Sequence, residues 1–518
     1  MAIQTVKTFA TMGLEGFEVS VEADSNKALP TIEIIWLPDA AIKESKERLR
    51  AAFKNISIQL PPRKLIINLA PSDIKKVWTS FDFPIAVALY MLINDGVVVR
   101  DGIVSDALFL GEIGLDGALK WVNGILPAVL SALRKWYTTF FVPADNVYEL
   151  AYIPNISVYP VSHLRDMFAF LQWEDTLSVL DTGQSIEDLY TITPAGNYVD
   201  FADIKWQLLA KRALAIAAAW MHNVLMIGSP WSGKTMLASA LQWILPPLGY
   251  EEVLEVSQIY SIIGKLDKDQ PLITDRPFRQ VHHTASKVSI VWWGQQLRPG
   301  EISLAHRGIL FFDELPEFPR EVLEVLRQPL EDKYVSISRA IWSVQYPANF
   351  MFVSTMNPSP DGYYKDPEIE CTNSLAEIKR YQSKISGPLM DRIDMILEIP
   401  REKVEKILDT EKQETSADVR EKVIDAWRRQ EARFSSTDIV CNADISAKNI
   451  DTYIPLSKEV KDFLTQAAQK LYLSGRVVHR TMKLARTIAD YMWSDDITIQ
   501  HIAEAMQYRS KTMFVDEA

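Results

Sequence analysis

The chain has 518 residues, 48% hydrophobic and 24% charged, with a formal net charge of −12. That balance is ordinary for a globular protein of two to four domains. It excludes a surface coated in positive charge for nucleic acid, though not a local basic lining. The two cysteines, Cys371 and Cys441, are far apart and show neither a disulfide framework nor zinc-ligand spacing, which points to a reducing, cytoplasmic setting.

The N-terminus lacks a basic segment followed by an apolar core, so no signal peptide is expected. The longest apolar run, Phe83 to Ile93, is too short to span a bilayer, so no membrane partner is expected. Residues 1–172 read as a first α/β or α+β domain. Strands are expected at Ile32–Ile35, Lys64–Leu69, Leu108–Leu110 and Thr139–Val142, and helices over Asp39–Lys54 and Phe83–Asn94. Residues 173–205 are polar and weakly periodic and read as a linker.

Residues 206–400 carry the chemistry. Val224-Leu225-Met226-Ile227 is a buried-strand pattern. It runs into Gly228-Ser229-Pro230-Trp231-Ser232-Gly233-Lys234-Thr235, which reads G-x-x-x-x-G-K-T, and a helical pattern follows. This is a phosphate-binding loop in its proper context. Backbone N–H groups at the helix N-terminus would meet phosphate oxygens, Lys234 the β- and γ-phosphates, and Thr235 a Mg²⁺ ion. ATP and Mg²⁺ are therefore the expected cofactors. Later, Ile309-Leu310-Phe311-Phe312-Asp313-Glu314 is an apolar strand ending in two acids, a Walker B pattern. Asp313 would orient the metal shell and Glu314 the attacking water. A third strand, Phe350 to Thr355, leads to Asn357 beside the γ-phosphate.

Between these strands, Lys333 to Val344 reads as a β-hairpin with its turn near Arg339 to Ser343. Lys333 or Arg339 would meet DNA phosphates if the hairpin faced a pore; a plain solvated hairpin is the alternative. His282 and His283 are adjacent, and on a strand they would point to opposite faces, which argues against one shared ion. Residues 401–518 are helical by pattern, with Leu464, Leu471, Leu484 and Ile488 on apolar faces. Arg476, Arg480 and Lys483 share one helical face.

Phosphate loop, acidic strand end and Asn357 resemble an AAA+ ATPase. Longer stretches are more specific: Arg276-Pro277-Phe278-Arg279, Arg298-Pro299-Gly300-Glu301, Asp313-Glu314-Leu315-Pro316-Glu317-Phe318, Ser386-Gly387-Pro388-Leu389-Met390-Asp391-Arg392-Ile393-Asp394 and Ala485-Arg486-Thr487-Ile488-Ala489-Asp490. Together they resemble the bacterial magnesium-chelatase-like ATPases of the YifB/ComM group, from about residue 5 to 510. The resemblance implies a P-loop AAA+ domain over 206–400, a helical lid over 401–518 and a homo-hexameric ring. It matches Asn357 to sensor 1, Arg392 to the arginine finger and Arg476 to sensor 2, with Arg480 the competitor. It implies a DNA motor for helicase or branch-migration work; the alternative is a chelatase-type ATPase remodelling a protein partner for metal insertion. Residues 1–172 resemble the Lon proteolytic domain, of ribosomal-protein-S5-like fold. Ser80 falls near the nucleophile position, but Leu126 takes the place of the lysine base, and a serine without a base is a poor nucleophile. The domain is therefore expected to be a non-peptidase interaction or DNA-handling module. The family's cysteines after Asn357 are replaced here, with Cys371 alone remaining, so no metal is expected in that loop.

Glycine is scarce, 20 of 518 residues, and tryptophan abundant at 14. The two together make 34 residues, close to the usual glycine share of about 7%. Many tryptophans stand where loop chemistry or the family pattern wants glycine: Trp36, Trp78, Trp136, Trp206, Trp220, Trp231, Trp243, Trp292, Trp293, Trp342 and Trp493. Trp121, Trp173 and Trp427 are left open. The expectation is that UGA codons read as glycine by the cell are written here as tryptophan; genuine tryptophan is the alternative.

Overall fold

A computed structural model describes residues 3–35, 39–71, 81–94, 101–190, 199–293, 298–339, 342–401, 413–435, 437, 442–446, 448–470, 473–509 and 513–515. Ser80, Leu471, Cys441, Trp36 and Trp78 lie outside them. The chain divides into two compact units, Met1–Ile192 with Gly249–Thr274, and Thr193–Leu248 with Asp275–Ala518. Residues 249–274, which the sequence places inside 206–400, thus belong to the first unit.

The first unit contains β1 (Gln4–Met12), β2 (Glu15–Asn26), β3 (Thr31–Ile35), β4 (Lys64–Ala70), β5 (Ala107–Phe109), β6 (Glu112–Ile113), β7 (Leu119–Lys120), β8 (Thr139–Pro143) and β9 (Ser157–Val161). Seven of them form one mixed sheet in the order β3-β4-β2-β1-β5-β8-β9. In β2, Val19, Val21 and Ala23 alternate inward while Glu18, Ser20 and Glu22 do not, the period-2 pattern of a half-buried strand. The helix Asp82–Ile93 is apolar all round, and every residue from Asp82 to Leu92 is buried. Its one charge, Asp82, accepts hydrogen bonds from Arg48 Nε and Ser45 Oγ, both at 2.6 Å, which makes that burial tolerable.

The helix Tyr250–Ile262 joins this unit through polar contacts as well as its buried face. Ser261 Oγ donates to Glu149 Oε2 (2.5 Å), and Gly124 N–H donates to the Ser261 carbonyl (3.1 Å).

The second unit holds β10 (Val224–Ile227), β11 (Phe278–Val281), β12 (Trp292–Trp293), β13 (Arg298–Pro299), β14 (Ile309–Phe312), β15 (Tyr334–Arg339), β16 (Trp342–Pro347), β17 (Met351–Met356) and β18 (Met395–Glu398). Its sheet, β11-β14-β17-β10-β18, is parallel throughout. β10, β14 and β17 are buried along their whole length, as parallel strands covered on both faces are. Helices Ser416–Phe434, Lys458–Lys470, Gly475–Tyr491 and Ile499–Gln507 complete the unit. Leu464, Leu484 and Ile488 are buried in the same hydrophobic core as the sheet.

Candidate nucleotide site

In a parallel sheet every strand presents its C-terminal end at one edge, and ligands gather there. β10 delivers the phosphate loop to that edge, β14 delivers Asp313 and Glu314, and β17 delivers Asn357. Gly228 opens the loop where nothing larger fits: a Cβ there would lie 2.3 Å from the Ile399 carbonyl oxygen. The helix Lys234–Leu241 begins at Gly233, with its free N–H groups toward the loop.

Lys234 Nζ is folded onto the loop itself. It donates to the carbonyls of Gly228 (2.7 Å) and Ser229 (2.9 Å), with Asn357 Oδ1 at 3.4 Å. Burial pushes its pKa down to about 8, against the opposing pull of Asp313 and Glu314. Thr235 Oγ1 stands 3.3 Å from Asp313 Oδ2. A hydroxyl and a carboxylate side by side are hard oxygen donors that suit Mg²⁺.

One residue that sequence reasoning passed over ties the strands together. Thr355 Oγ1, fully buried in β17, donates to Asp313 Oδ1 (2.5 Å) and accepts from the Glu314 backbone N–H (3.0 Å). Its signal was present: Ser354 and Thr355 are polar residues inside an apolar strand. Glu314 has left-handed backbone, φ 56°, which costs a non-glycine residue about 1–3 kcal/mol. Thr355 helps to hold that backbone geometry through the Glu314 N–H.

After Asn357 the chain makes a loop braced by two aspartates. Asp366 Oδ2 accepts from Ser229 Oγ of the phosphate loop (2.6 Å). Asp361 accepts from Ser359 Oγ, Thr372 N and Oγ1, and Tyr363 N. Burial alone would raise the Asp361 carboxyl, but these donors hold it well below the usual range. The Cys371 thiol lies 3.3 Å from Asp361 Oδ1.

The arginines lie apart from this edge. Arg392 Nη1 donates to the Pro388 carbonyl (2.7 Å) and Nη2 pairs with Glu331. Its Nε is buried with no hydrogen-bond partner among the described residues. Burial and the nearby Arg327, Arg480 and Arg476 lower its pKa. Arg480 pairs with Asp394 (2.9 Å), which also accepts from the Asn223 N–H at 3.1 Å. Among the described residues, none of Arg392, Arg476 and Arg480 hydrogen-bonds to the phosphate loop, Asp313 or Glu314.

Lys333 stands at the base of the β15–β16 hairpin, where its carbonyl accepts from Ala348 N–H (2.8 Å). Arg339 is in the last pair at the tip, opposite Trp342. The expectation for His282 and His283 fails in its reason. They follow β11 in a turn, and their rings lie 4.1 Å apart instead of on opposite faces.

Three family models match in chain order: Subunit ChlI of Mg-chelatase over residues 21–146, Magnesium chelatase, subunit ChlI over 200–407, and Magnesium chelatase, subunit ChlI C-terminal over 413–509. The chain is 36% identical over 515 residues to the competence protein ComM of Haemophilus influenzae, covering 98% of each. It is 36% identical over 511 residues to the YifB protein of Escherichia coli, covering 98% of this chain and 97% of that protein. The chain belongs to the YifB/ComM group of magnesium-chelatase-like AAA+ ATPases. Likeness to a chelatase proper is narrower. The magnesium-chelatase 67 kDa subunit of Heliobacterium mobile is 25% identical over 194 residues, 32% of this chain and 29% of that protein. No helix among the described residues is long and apolar enough to cross a membrane.

Proposed function

We propose that the chain is the subunit of a cytoplasmic, homo-hexameric ring that hydrolyses ATP to move DNA, by unwinding or branch migration. The observation that carries this reading is the separation of its charged residues into two halves. Lys234, Thr235, Asp313, Glu314 and Asn357 share one sheet edge; Arg392 does not bond to them, and while its Nη2 pairs with Glu331, its Nε has no partner among the described residues and like charges lie near it. A neighbouring subunit would supply the other half of each site.

In this reading the triphosphate lies along Gly228–Thr235, and Lys234 exchanges two loop carbonyls for phosphate oxygens. Thr235 and Asp313 hold Mg²⁺, which neutralises charge on the phosphates when bound. Glu314 accepts a proton from the attacking water, which Asn357 helps to position. Arg392 is the finger reaching the neighbour's γ-phosphate, and Arg476 is sensor 2; their positive charge stabilises charge that builds up in the transition state. DNA as the substrate is supported by the hairpin, with Arg339 at its tip, and by the relative named for competence. Lys333, at the hairpin base, is the second candidate phosphate contact. We read the first unit as a Lon-like, S5-type module without peptidase activity, because Leu126 is apolar and fully buried where a base is needed.

The test is ATP turnover by the purified chain with and without forked DNA, together with movement of a four-way junction. DNA should stimulate turnover, and Arg339→Ala should lose that stimulation. ATP hydrolysis indifferent to DNA, with no junction movement, would turn the reading to remodelling of a protein partner.

A further inference from the structure

Twelve non-glycine residues among those described have φ between 49° and 69°, and four of them are tryptophan: Trp136 (69°), Trp173 (64°), Trp231 (67°) and Trp493 (59°). Tryptophan is 14 of 518 residues, so twelve residues drawn at random would hold fewer than one. In left-handed backbone an L side chain crowds its own carbonyl, which is why glycine dominates such positions and a bulky residue is an outlier.

Three of the four share one geometry. Trp136 N–H donates to the Leu133 carbonyl (3.0 Å) and Tyr137 N–H to Ala132 (3.2 Å). Trp173 N–H donates to Phe170 (3.3 Å) and Glu174 N–H to Ala169 (3.0 Å). Trp493 N–H donates to Asp490 (3.2 Å) and Ser494 N–H to Ala489 (2.8 Å). Each pair of bonds is the Schellman ending of a helix, with tryptophan at the residue that must turn left-handed. After Tyr250–Ile262 the same two bonds form around Gly264, φ 69°. Ser57 also holds such a position, so the geometry strains a side chain without forbidding it. The fourth, Trp231, lies in the phosphate loop.

Exposure sorts the tryptophans in the same way. Trp136, Trp173, Trp231 and Trp493 are 91%, 61%, 96% and 62% exposed. The six others with described side chains, Trp121, Trp206, Trp220, Trp243, Trp292 and Trp427, are buried or half-buried. An indole ordinarily buries a large surface and satisfies its N–H. Trp427 does so: Nε1 donates to the Ala218 carbonyl (3.0 Å), and Arg276 lies over its ring at 4.9 Å. Trp121 Nε1 donates to the Tyr148 hydroxyl (3.0 Å). Trp493 has the Arg429 guanidinium over its face at 5.4 Å, a contact open to any exposed aromatic ring.

We propose that residues 136, 173, 231 and 493 are glycine in the protein as its own cell makes it, encoded by UGA and read by a glycine tRNA with the complementary anticodon. The phosphate loop then has glycine at 231 and no indole beside the phosphates. Trp173, left open by sequence, joins this set, while Trp121 and Trp427 are genuine tryptophans.

Two measurements test this. Peptide mass spectrometry of the protein from its own cells should find glycine at the four positions and tryptophan at 121 and 427. Tryptophan in those four peptides, or UGG codons behind them, overturns the proposal. In the chain with tryptophan throughout, Trp136→Gly, Trp173→Gly and Trp493→Gly should each raise the Tm, by roughly 2 °C or more, and Trp427→Gly should lower it. No rise in any of the three would remove the physical ground of the proposal.

Discussion

Thr355→Val tests whether the strand edge is a positioned site. Valine keeps the shape of threonine and removes only the hydroxyl, which bonds the Asp313 carboxylate and the Glu314 N–H. Thr355 is fully buried, so no water readily replaces it. Losing the bond to a carboxylate costs about 1.5–3 kcal/mol, and a buried N–H left unpaired about 1–3 kcal/mol. Part of this is lost folding stability. The part felt in catalysis is the freedom returned to Glu314, whose strained backbone is no longer held. If about 1.4–2.8 kcal/mol appears in the barrier, kcat falls roughly 10- to 100-fold. KM for ATP should stay within about threefold, since the hydroxyl does not touch the phosphate loop. Steady-state ATPase kinetics in a Trp231→Gly background measure this without an indole at the phosphates, and Thr355→Ser should recover most of the loss. A Thr355→Val enzyme with parental kcat would refute the reasoning. So would a serine variant as impaired as the valine one, because volume would then matter and not the hydroxyl.

Lys234→Ala should abolish ATP binding, whereas Glu314→Gln should bind ATP and stall; equilibrium binding and turnover separate the two, and parental turnover by Glu314→Gln would dismiss it as the water-positioning group. Mixing Arg392→Ala with Lys234→Ala subunits should restore some ATPase activity, since one kind of interface combines an intact loop with an intact finger; no recovery at any ratio, with assembly verified, counts against a shared site. Glu149 gives a pH prediction: burial pushes its carboxyl up to about 7, against the Ser261 and Asn146 hydrogen bonds. A raised acid binds its proton more tightly when folded, so its contribution is complete at low pH and is lost as pH rises from about 4.5 to 7, by up to about 3 kcal/mol. Glu149→Gln should therefore flatten the Tm profile between pH 5 and 8, and an unchanged profile would show that the buried carboxyl does not set it.

The contiguous parts of the site were legible because each motif is a strand and the residues at its end. Val224–Thr235, Ile309–Glu314 and Phe350–Asn357 announce both burial and chemistry, and parallel pairing brings their ends together. The β1–β2 hairpin was missed although β2 alternates cleanly, because its outward glutamates dilute the apolar signal. The membership of residues 249–274 in the first unit could not be read, since contacts such as Ser261 with Glu149 join positions 112 apart. The grouping of Arg327, Arg392, Arg476 and Arg480 is likewise tertiary. The hairpin and its turn near Arg339 to Ser343 were legible, and the pairing puts Lys333 at the base and Arg339 in the last pair.

The two halves of the charge arrangement differ in how well they are satisfied. At the strand edge Lys234 bonds loop carbonyls, Thr235 meets Asp313, and Asp313 meets Thr355. A triphosphate would replace the loop carbonyls at Lys234 with oxygens of higher charge, so the edge is satisfied before and after binding, and the exchange costs little reorganisation. Arg392 is only partly balanced: Nη2 pairs with Glu331 and Nη1 bonds the Pro388 carbonyl, but Nε has no hydrogen-bond partner among the described residues and three like charges lie near it. A further anion arriving there would offset the repulsion among the four arginines and compete with Glu331 for the guanidinium. On the proposed reading that anion is the neighbour's nucleotide. Nucleotide binding would then strengthen the contact between subunits more than it rearranges the subunit that holds it, which is the coupling a ring motor requires.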